Sequence, residues 1–235
     1  MEFVDVDTTG WAPGTYLYRL TAPARENLQA MAPRRRIEPG DVLIHQGALE
    51  RHVILMHNGI AKVTALTSDG AESLLAIRVG GDIVGEMSAL NDLPRSATVA
   101  ACTPVVYSVI HRPQLHKFLE CQPGAAVALA GMVADRLRWA NQFRVEFTAY
   151  SAKVRVARVL VKIALAYGRR TPAGLEIGFE LTQSELASLC GAAEVTVQKV
   201  LRDFRRDGSI ATGYRTVTVI DLEALRRAAE LHSEL

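Results

Sequence analysis

The sequence predicts a mixed α+β chain in which a β-rich N-terminal half gives way to a helical C-terminal half. Three observations carry this. Short aliphatic segments between residues 37 and 112 are separated by glycine turns, helical spacing takes over at Pro123, and a further set of helices follows a capping serine at Ser151. Composition is compatible: 235 residues, 49% apolar and 22% charged, suit one large domain or two modest ones, each able to bury a core.

The strand candidates, in order, are Val42–Ile44, Val53–Met56, Ile60–Leu66, Ser73–Ile77 and Val105–Ile110, all rich in β-branched and aliphatic residues. The breaks between them carry turn chemistry: Pro39-Gly40-Asp41, His57-Asn58-Gly59, Ser68-Asp69-Gly70 and Gly80-Gly81-Asp82. Many short strands with glycine turns predict a sandwich or barrel. From Pro123, the residues Ala130, Val133, Leu137, Ala140, Arg144, Phe147 and Ser151 recur at steps of three and four, the spacing of a seam between paired helices. Arg144 and Ser151 are polar on that seam, and Trp139 and Phe143 lie off it. The pattern therefore fits either a dimer helix or a helix packed within one subunit.

Ser151 is an N-cap candidate for a separate helix, Ala152–Tyr167, ended by Gly168. A loop over 169–174 and a short strand around 175–179 come next. Thr182 and Glu185 then form a capping box, Leu186 and Leu189 supply one apolar face, and Val197, Val200, Leu201 and Phe204 supply another. Gly191 lies in the short turn between these two helices, which predicts a helix-turn-helix, and ATGYRTVTVID after it reads as a glycine turn and a strand. Two amphipathic helices of an ordinary core are the alternative.

Several function classes are excluded or disfavoured. The uncharged stretch Cys121–Ala134 is interrupted by Pro123, Gly124 and Gly131 and is shorter than the ~18–20 apolar residues a bilayer crossing needs. The segment MEFVDVDTTGW is acidic where a secretory signal is basic and then apolar, so a cytoplasmic protein without membrane contact is expected. Cys102, Cys121 and Cys190 are too scattered for a disulfide framework or a metal knuckle and are expected to be small buried residues. His45, His52 and His57 are close in sequence, but their spacings match no helical ligand pair, and no metal is expected. Residues 1–150 carry 14 basic and 15 acidic side chains, residues 151–235 carry 13 and 10, so the C-terminal part is the basic one. That imbalance points weakly to an anionic partner.

The chemistry is concentrated in GDIVGEMSALNDLPRSATVAA, residues 81–101. Gly85, followed by Glu86 and the short helical run Met87-Ser88-Ala89-Leu90, can turn backbone N–H groups toward an anion, because a helix N-terminus leaves donors unpaired. Arg95 and Ser96 add a guanidinium fork and a hydroxyl, suited to phosphate oxygens. A carboxylate next to an anion site needs its own donor, and a ribose hydroxyl is the natural one. The plainer alternative is a salt bridge between Glu86 and Arg95.

With its flanking strands, GDIVGEMSALNDLPRSATV resembles the phosphate-binding cassette of cyclic-nucleotide-binding domains. The order of β-roll, long helix and winged helix-turn-helix is similar to the cyclic AMP receptor protein and fumarate-nitrate regulator family of bacterial transcription factors, over roughly residues 18–222. The resemblance implies an N-terminal β-roll (jelly-roll) binding domain over 18–122, a long dimerisation helix over 123–150 and a winged helix-turn-helix DNA-binding domain over 151–235. It implies a non-enzymatic, allosteric homodimer gated by cyclic AMP or cyclic GMP. Its ligand site would be Gly85, Glu86, Met87, Ser88, Arg95, Ser96, Ala97 and Leu75. Backbone groups together with Arg95 and Ser96 would hold the cyclic phosphate, and Glu86 the ribose hydroxyl.

Departures bear on specificity. The family commonly reads the base with a Thr followed by Ser or Asn on the long helix, where this chain has Ala140 and Asn141. A lost hydroxyl–amine bond weakens base reading by about 0.5–1.5 kcal/mol where water substitutes. The four-cysteine iron–sulfur site of the fumarate-nitrate branch is not supplied by three scattered cysteines. By resemblance the recognition helix starts near Ala193 and runs to about Arg206, with Glu194, Val195 and Lys199 at the family's base-reading places. Glu194 can accept from cytosine, Val195 or Thr196 can touch a thymine methyl, and Gln198 and Lys199 can contact purines. Thr182, Gln183, Arg202, Arg205, Tyr214 and Arg215 are candidate phosphate contacts on double-stranded DNA. Resemblance alone suggests RNA polymerase as a partner of the loop over 168–178. The alternative reading is a nucleotide-binding module acting through protein partners, its base reading lost at Glu194 and Val195. No nucleophile, paired carboxylates or metal cluster suggests an enzyme.

Overall fold

The computed structural model describes residues 11–68 and 70–231. Asp69 of one predicted turn, His232 and the first ten residues lie outside them. The chain divides between Trp139 and Ala140 into two compact units.

In the first unit two short helices, α1 (Tyr16–Arg19) and α2 (Ala22–Ala30), precede the strands β1 (Arg35–Ile37), β2 (Val42–Ile44), β3 (Val53–Asn58), β4 (Ile60–Leu66), β5 (Glu72–Val79) and β6 (Ile83–Val84). Then come α3 (Glu86–Asn91), β7 (Thr98–Ala101), β8 (Val105–Ile110), α4 (Arg112–Cys121) and the start of the long helix α5 (Pro123–Ala149). Two four-stranded sheets form, in the orders β1-β8-β3-β6 and β2-β7-β4-β5, with every pairing antiparallel. This is the predicted β-roll.

Strand β3 shows why the sequence folds this way. Its VILM run is apolar at every position because both of its faces are covered. Ile54 and Met56 join Ile44, Val84 and Val99 in the core between the sheets, while Val53 and Leu55 join Leu17, Leu28, Leu115, Phe118 and Leu129 under the helices. Gly59 makes the tight turn into β4 at φ +89°, and a Cβ there would strike the Pro104 carbonyl oxygen.

The second unit holds the end of α5 and α6 (Ala152–Tyr167), β9 (Gly168–Thr171), β10 (Gly174–Ile177), α7 (Gln183–Cys190), α8 (Glu194–Arg206), β11 (Ile210–Gly213), β12 (Thr216–Val219) and α9 (Leu222–Ala228). Ser151 caps α6 by accepting from the Val154 N–H, and the Thr182–Glu185 capping box opens α7 as expected. Helices α7 and α8 with the β11–β12 hairpin make a winged helix-turn-helix, and β12 continues through β10 to β9 in one sheet.

Several expectations need correction. The region expected to be a loop at 169–174 is a β-hairpin, β9 pairing with β10. Helices α1, α2 and α4 carry no pattern that the sequence reading detects. Pro23 and Pro113 look like breaks but sit in the first turns of α2 and α4, where a missing N–H costs nothing. The segment before residue 18 is partly core: Tyr16 and Leu17 are fully buried, and the Tyr16 hydroxyl donates to the Ala125 carbonyl at 3.1 Å. Of the cysteines only Cys190 is buried, while Cys102 is half-buried and Cys121 exposed.

Candidate functional site: an anion cassette and a helix-turn-helix face

Strand β6, the left-handed Gly85 and helix α3 bring the predicted cassette together. Gly85 sits at φ +81°, and a Cβ there would lie 2.5 Å from Arg95 Nη1, so conformation and space both require glycine. Arg95 is only 3% exposed. Its Nη1 donates to the Gly85 carbonyl at 2.8 Å and its Nη2 to the His52 carbonyl at 2.6 Å. Burial pulls the Arg95 pKa down, with Glu50 and Glu86 opposing, yet a guanidinium remains charged in any protein setting. Arg95 is thus a buried cation whose hydrogen-bond partners are two neutral backbone carbonyls.

Glu86 is not paired with Arg95, which corrects the salt-bridge alternative. Its carboxylate accepts from Arg136 Nη1 at 2.7 Å, while Arg136 Nη2 reaches Asp82 Oδ1 and the Ile83 carbonyl, each at 3.1 Å. Arg136, on α5, is the residue that sequence reasoning missed. The signal available was chemical: two carboxylates carried into a core, Asp82 and Glu86, need a cation, and a long helix packed over them can supply one. Ser88 is buried and Ala97 nearly so, Met87 and Leu75 are half exposed, and the Ser96 hydroxyl is exposed apart from a 3.7 Å contact with Met87 Sδ. The loop after α3 is pinned by Asp92, whose Oδ1 accepts from Arg51 Nε at 2.7 Å and Arg112 Nη1 at 3.0 Å. The hydrogen bond from Arg51, then the charge of Arg112, hold the Asp92 carboxyl below its usual pKa. Ala140 and Asn141 are exposed on α5 in the second unit. Along α5, Val127, Leu137 and Phe147 are 73%, 61% and 52% exposed, and the Phe147 ring carries the Arg155 guanidinium 4.8 Å from its centroid.

In the helix-turn-helix, Val197, Val200, Leu201 and Phe204 bury one face of α8. Glu194, Val195, Lys199 and Arg202 are exposed on the other, with Thr196 and Gln198 half-buried and Gln198 Nε2 3.3 Å from Glu194 Oε1. Gln183 is exposed at the first position of α7, and the Thr182 hydroxyl is engaged by Glu185. Tyr214 is exposed in the β11–β12 turn with the Arg215 guanidinium over its ring, and Arg215 also donates to Glu180 at 3.0 Å. The turn between α7 and α8 is tied by Arg155, which donates to the Cys190 and Gly191 carbonyls at 2.8 and 3.0 Å. Among the described residues, no group of three or more His, Cys, Asp or Glu side chains could hold a metal ion, and no helix is long and apolar enough to cross a membrane.

Comparison with known proteins matches these two regions. Residues 34–122 match the cyclic nucleotide-binding domain family, and residues 154–228 match the Crp-like helix-turn-helix domain family. A relative from Mycobacterium tuberculosis, a CRP-like cAMP-activated global transcriptional regulator, is 31% identical over 82% of this chain and 81% of its own length. Among solved structures, a CRP-family transcriptional regulator from Thermus thermophilus has a TM-score of 0.72 at 26% identity, over 85% of this chain and 98% of that one. The c-di-GMP-responsive global regulator of Xanthomonas campestris shares the fold, with a TM-score of 0.73 at 20% identity over 85% and 99% of the two chains. A cyclic nucleotide-binding-type β-roll and a Crp-like helix-turn-helix in one chain are the two parts of a CRP-like transcription regulator. The chain belongs to the CRP-like family of transcriptional regulators.

Proposed function

We propose that this chain is a cytoplasmic homodimer that binds cyclic AMP or cyclic GMP in its β-roll and uses the nucleotide to control DNA binding by its winged helix-turn-helix. The observation that carries the proposal is the cassette: a buried Arg95 beside a left-handed Gly85, with an exposed Ser96 hydroxyl and the buried Glu86 carboxylate on the adjoining helix. In this reading Arg95, Ser96 and the N–H groups of Gly85, Glu86, Met87 and Ser88 take the cyclic phosphate. Glu86 takes the ribose hydroxyl, and Leu75 and Ala97 border the sugar and base. The seam residues Leu137, Ala140 and Phe147 of α5 would be covered by the second subunit, bringing Ala140 and Asn141 toward the base. Glu194, Val195, Thr196, Gln198 and Lys199 face base edges, and Thr182, Gln183, Arg202, Tyr214 and Arg215 face the backbone. The β9–β10 hairpin is the proposed RNA polymerase contact. The Mycobacterium tuberculosis relative is named for activation by cAMP, which supports that nucleotide first.

Calorimetry on nucleotide-stripped protein tests this, with cyclic AMP, cyclic GMP and c-di-GMP as titrants and Arg95→Lys as control. Saturable binding of a mononucleotide, weakened in the control because Lys lacks the planar fork, is expected. No heat with either mononucleotide would refute the effector assignment. A second reading, a nucleotide-binding module acting through protein partners, is favoured by Glu194 and Val195 at the base-reading places. Failure of the nucleotide-loaded chain to retain any duplex at low salt would establish it over the first.

A further inference from the structure

Strands β3 and β8 run antiparallel, and their register sets Val53 opposite Ile110. One residue beyond that pair, His52 leads into β3 and His111 caps the start of α4, so the two rings meet edge to face with centroids 6.4 Å apart. His52 is also one of the two residues that hold the cassette arginine, because its backbone carbonyl accepts from Arg95 Nη2 at 2.6 Å. A titratable ring therefore sits on the residue that grips the buried cation of the cassette.

Charges act on this half-buried ring from three segments: Arg95 from the cassette, Glu50 from the loop before β3, and His111 from the start of α4. The carboxylate that follows α3, Asp92, is shared by Arg51 and Arg112 at 2.7 and 3.0 Å, so it is spent on the two arginines next in sequence to the histidines. Burial first, then the Arg95 charge, hold the His52 pKa below the ordinary histidine value of 6.5, with Glu50 opposing and His111 adding a smaller lowering. An anion that neutralises Arg95 removes the second of these causes.

We infer that His52 is a proton site coupled to the cassette: a nucleotide phosphate at Arg95 favours the charged imidazole, so nucleotide binding takes up a proton at His52 and tightens as pH falls. The inference rests on the nucleotide-binding reading above and adds a second signal to the same site. The sign follows from linkage, since the bound form holds more protons than the free form while His52 titrates. A cyclic phosphodiester keeps one negative charge throughout the range in which histidine titrates, and His57, held down to about 4, titrates below it. The functional consequence is that a given nucleotide concentration loads more of the protein in a mildly acidified cell.

The test is calorimetry of the full-length, nucleotide-stripped chain with cyclic AMP and with cyclic GMP at about pH 7.5, 6.5 and 5.5, each in two buffers of unlike ionisation enthalpy. Native binding should tighten about two- to fourfold from the highest pH to the lowest, with about 0.2–0.3 proton taken up per site near the middle of the range. His52→Asn keeps the carbonyl that holds Arg95 and removes the titrating ring, so it should abolish both the slope and the uptake. His45→Asn, in the same loop, should keep both. His111→Asn removes the smaller lowering and should move the midpoint of the affinity change to higher pH. The His52 ring proton resonance of the native chain gives a readout independent of any variant, and its titration midpoint should rise when nucleotide saturates the protein. Nucleotide binding that ignores pH, a slope that survives in His52→Asn, or an unmoved ring midpoint would overturn the proton site and leave the nucleotide reading standing. Absence of binding by either nucleotide at all three pH values would overturn both.

Discussion

Replacing Arg136 by Met tests how the cassette carboxylate is held. The guanidinium bonds Glu86 Oε1 at 2.7 Å, Asp82 Oδ1 at 3.1 Å and the Ile83 carbonyl at 3.1 Å, and Glu86 and Asp82 are 6% and 8% exposed. Met fills a similar volume, so the perturbation is electrostatic: two buried carboxylates lose the cation they share. Breaking one buried pair costs about 3–5 kcal/mol. Arg136 itself is 19% exposed, so water replaces part of the loss, and about 2–4 kcal/mol is expected in urea denaturation at neutral pH. A cycle with Glu86→Gln locates the energy. The double variant, with one carboxylate neutralised, should recover about half of the loss, a coupling of about 1–2 kcal/mol. A loss below about 0.5 kcal/mol, or strictly additive variants, would show that Arg136 does not hold Glu86 and would refute the reasoning.

Three further outcomes follow from local chemistry. Burial pushes the Cys190 thiol up to about 12, against a smaller opposing effect of Arg155, so a thiol reagent at neutral pH should label exposed Cys121 first and leave Cys190 unlabelled until the unit unfolds. His57, buried with Nε2 2.8 Å from Ser108 Oγ, is held down to about 4 by burial and then by the charge of Arg34. Its contribution to stability is full above about pH 6.5, the ordinary histidine value, and is lost as pH falls through the folded-state value of about 4. Between those limits it should account for roughly 1–2 kcal/mol of a denaturation series, a slope that His57→Gln removes. Gly85→Ala combines a left-handed backbone costing about 1–2 kcal/mol with a 2.5 Å approach to Arg95 Nη1. It should lower thermal stability and weaken nucleotide binding together, and a neutral result in both would remove Gly85 from the cassette.

Legibility differs between regions for physical reasons. The capping box at Thr182 and Glu185, the Ser151 cap and the apolar faces of α8 are local features, and each is readable because its partners lie within a few residues. The glycine turns and aliphatic runs of the β-roll are equally plain. What the sequence conceals is long-range or disguised. The Glu86–Arg136 pair joins residues fifty positions apart, and nothing local to α3 names its cation. For Arg95 the sequence leaves a salt bridge to Glu86 open as the plainer alternative, until the structure shows the guanidinium held by two carbonyls. The β9–β10 hairpin carries three charged residues and few β-branched ones, so its strands lack the usual pattern. Tyr16 and Leu17 carry no sequence signal of their burial because a four-residue helix offers no period to recognise.

The central claim is that a cyclic nucleotide in the first unit changes the DNA affinity of the second. Fluorescence anisotropy of a labelled duplex, titrated with the full-length chain with and without saturating cyclic AMP and then cyclic GMP, measures that coupling directly. One nucleotide should tighten DNA binding about 5- to 150-fold, a coupling of about 1–3 kcal/mol, and DNA should tighten nucleotide binding by the same factor. Equal DNA affinity with the nucleotide demonstrably bound would contradict the account.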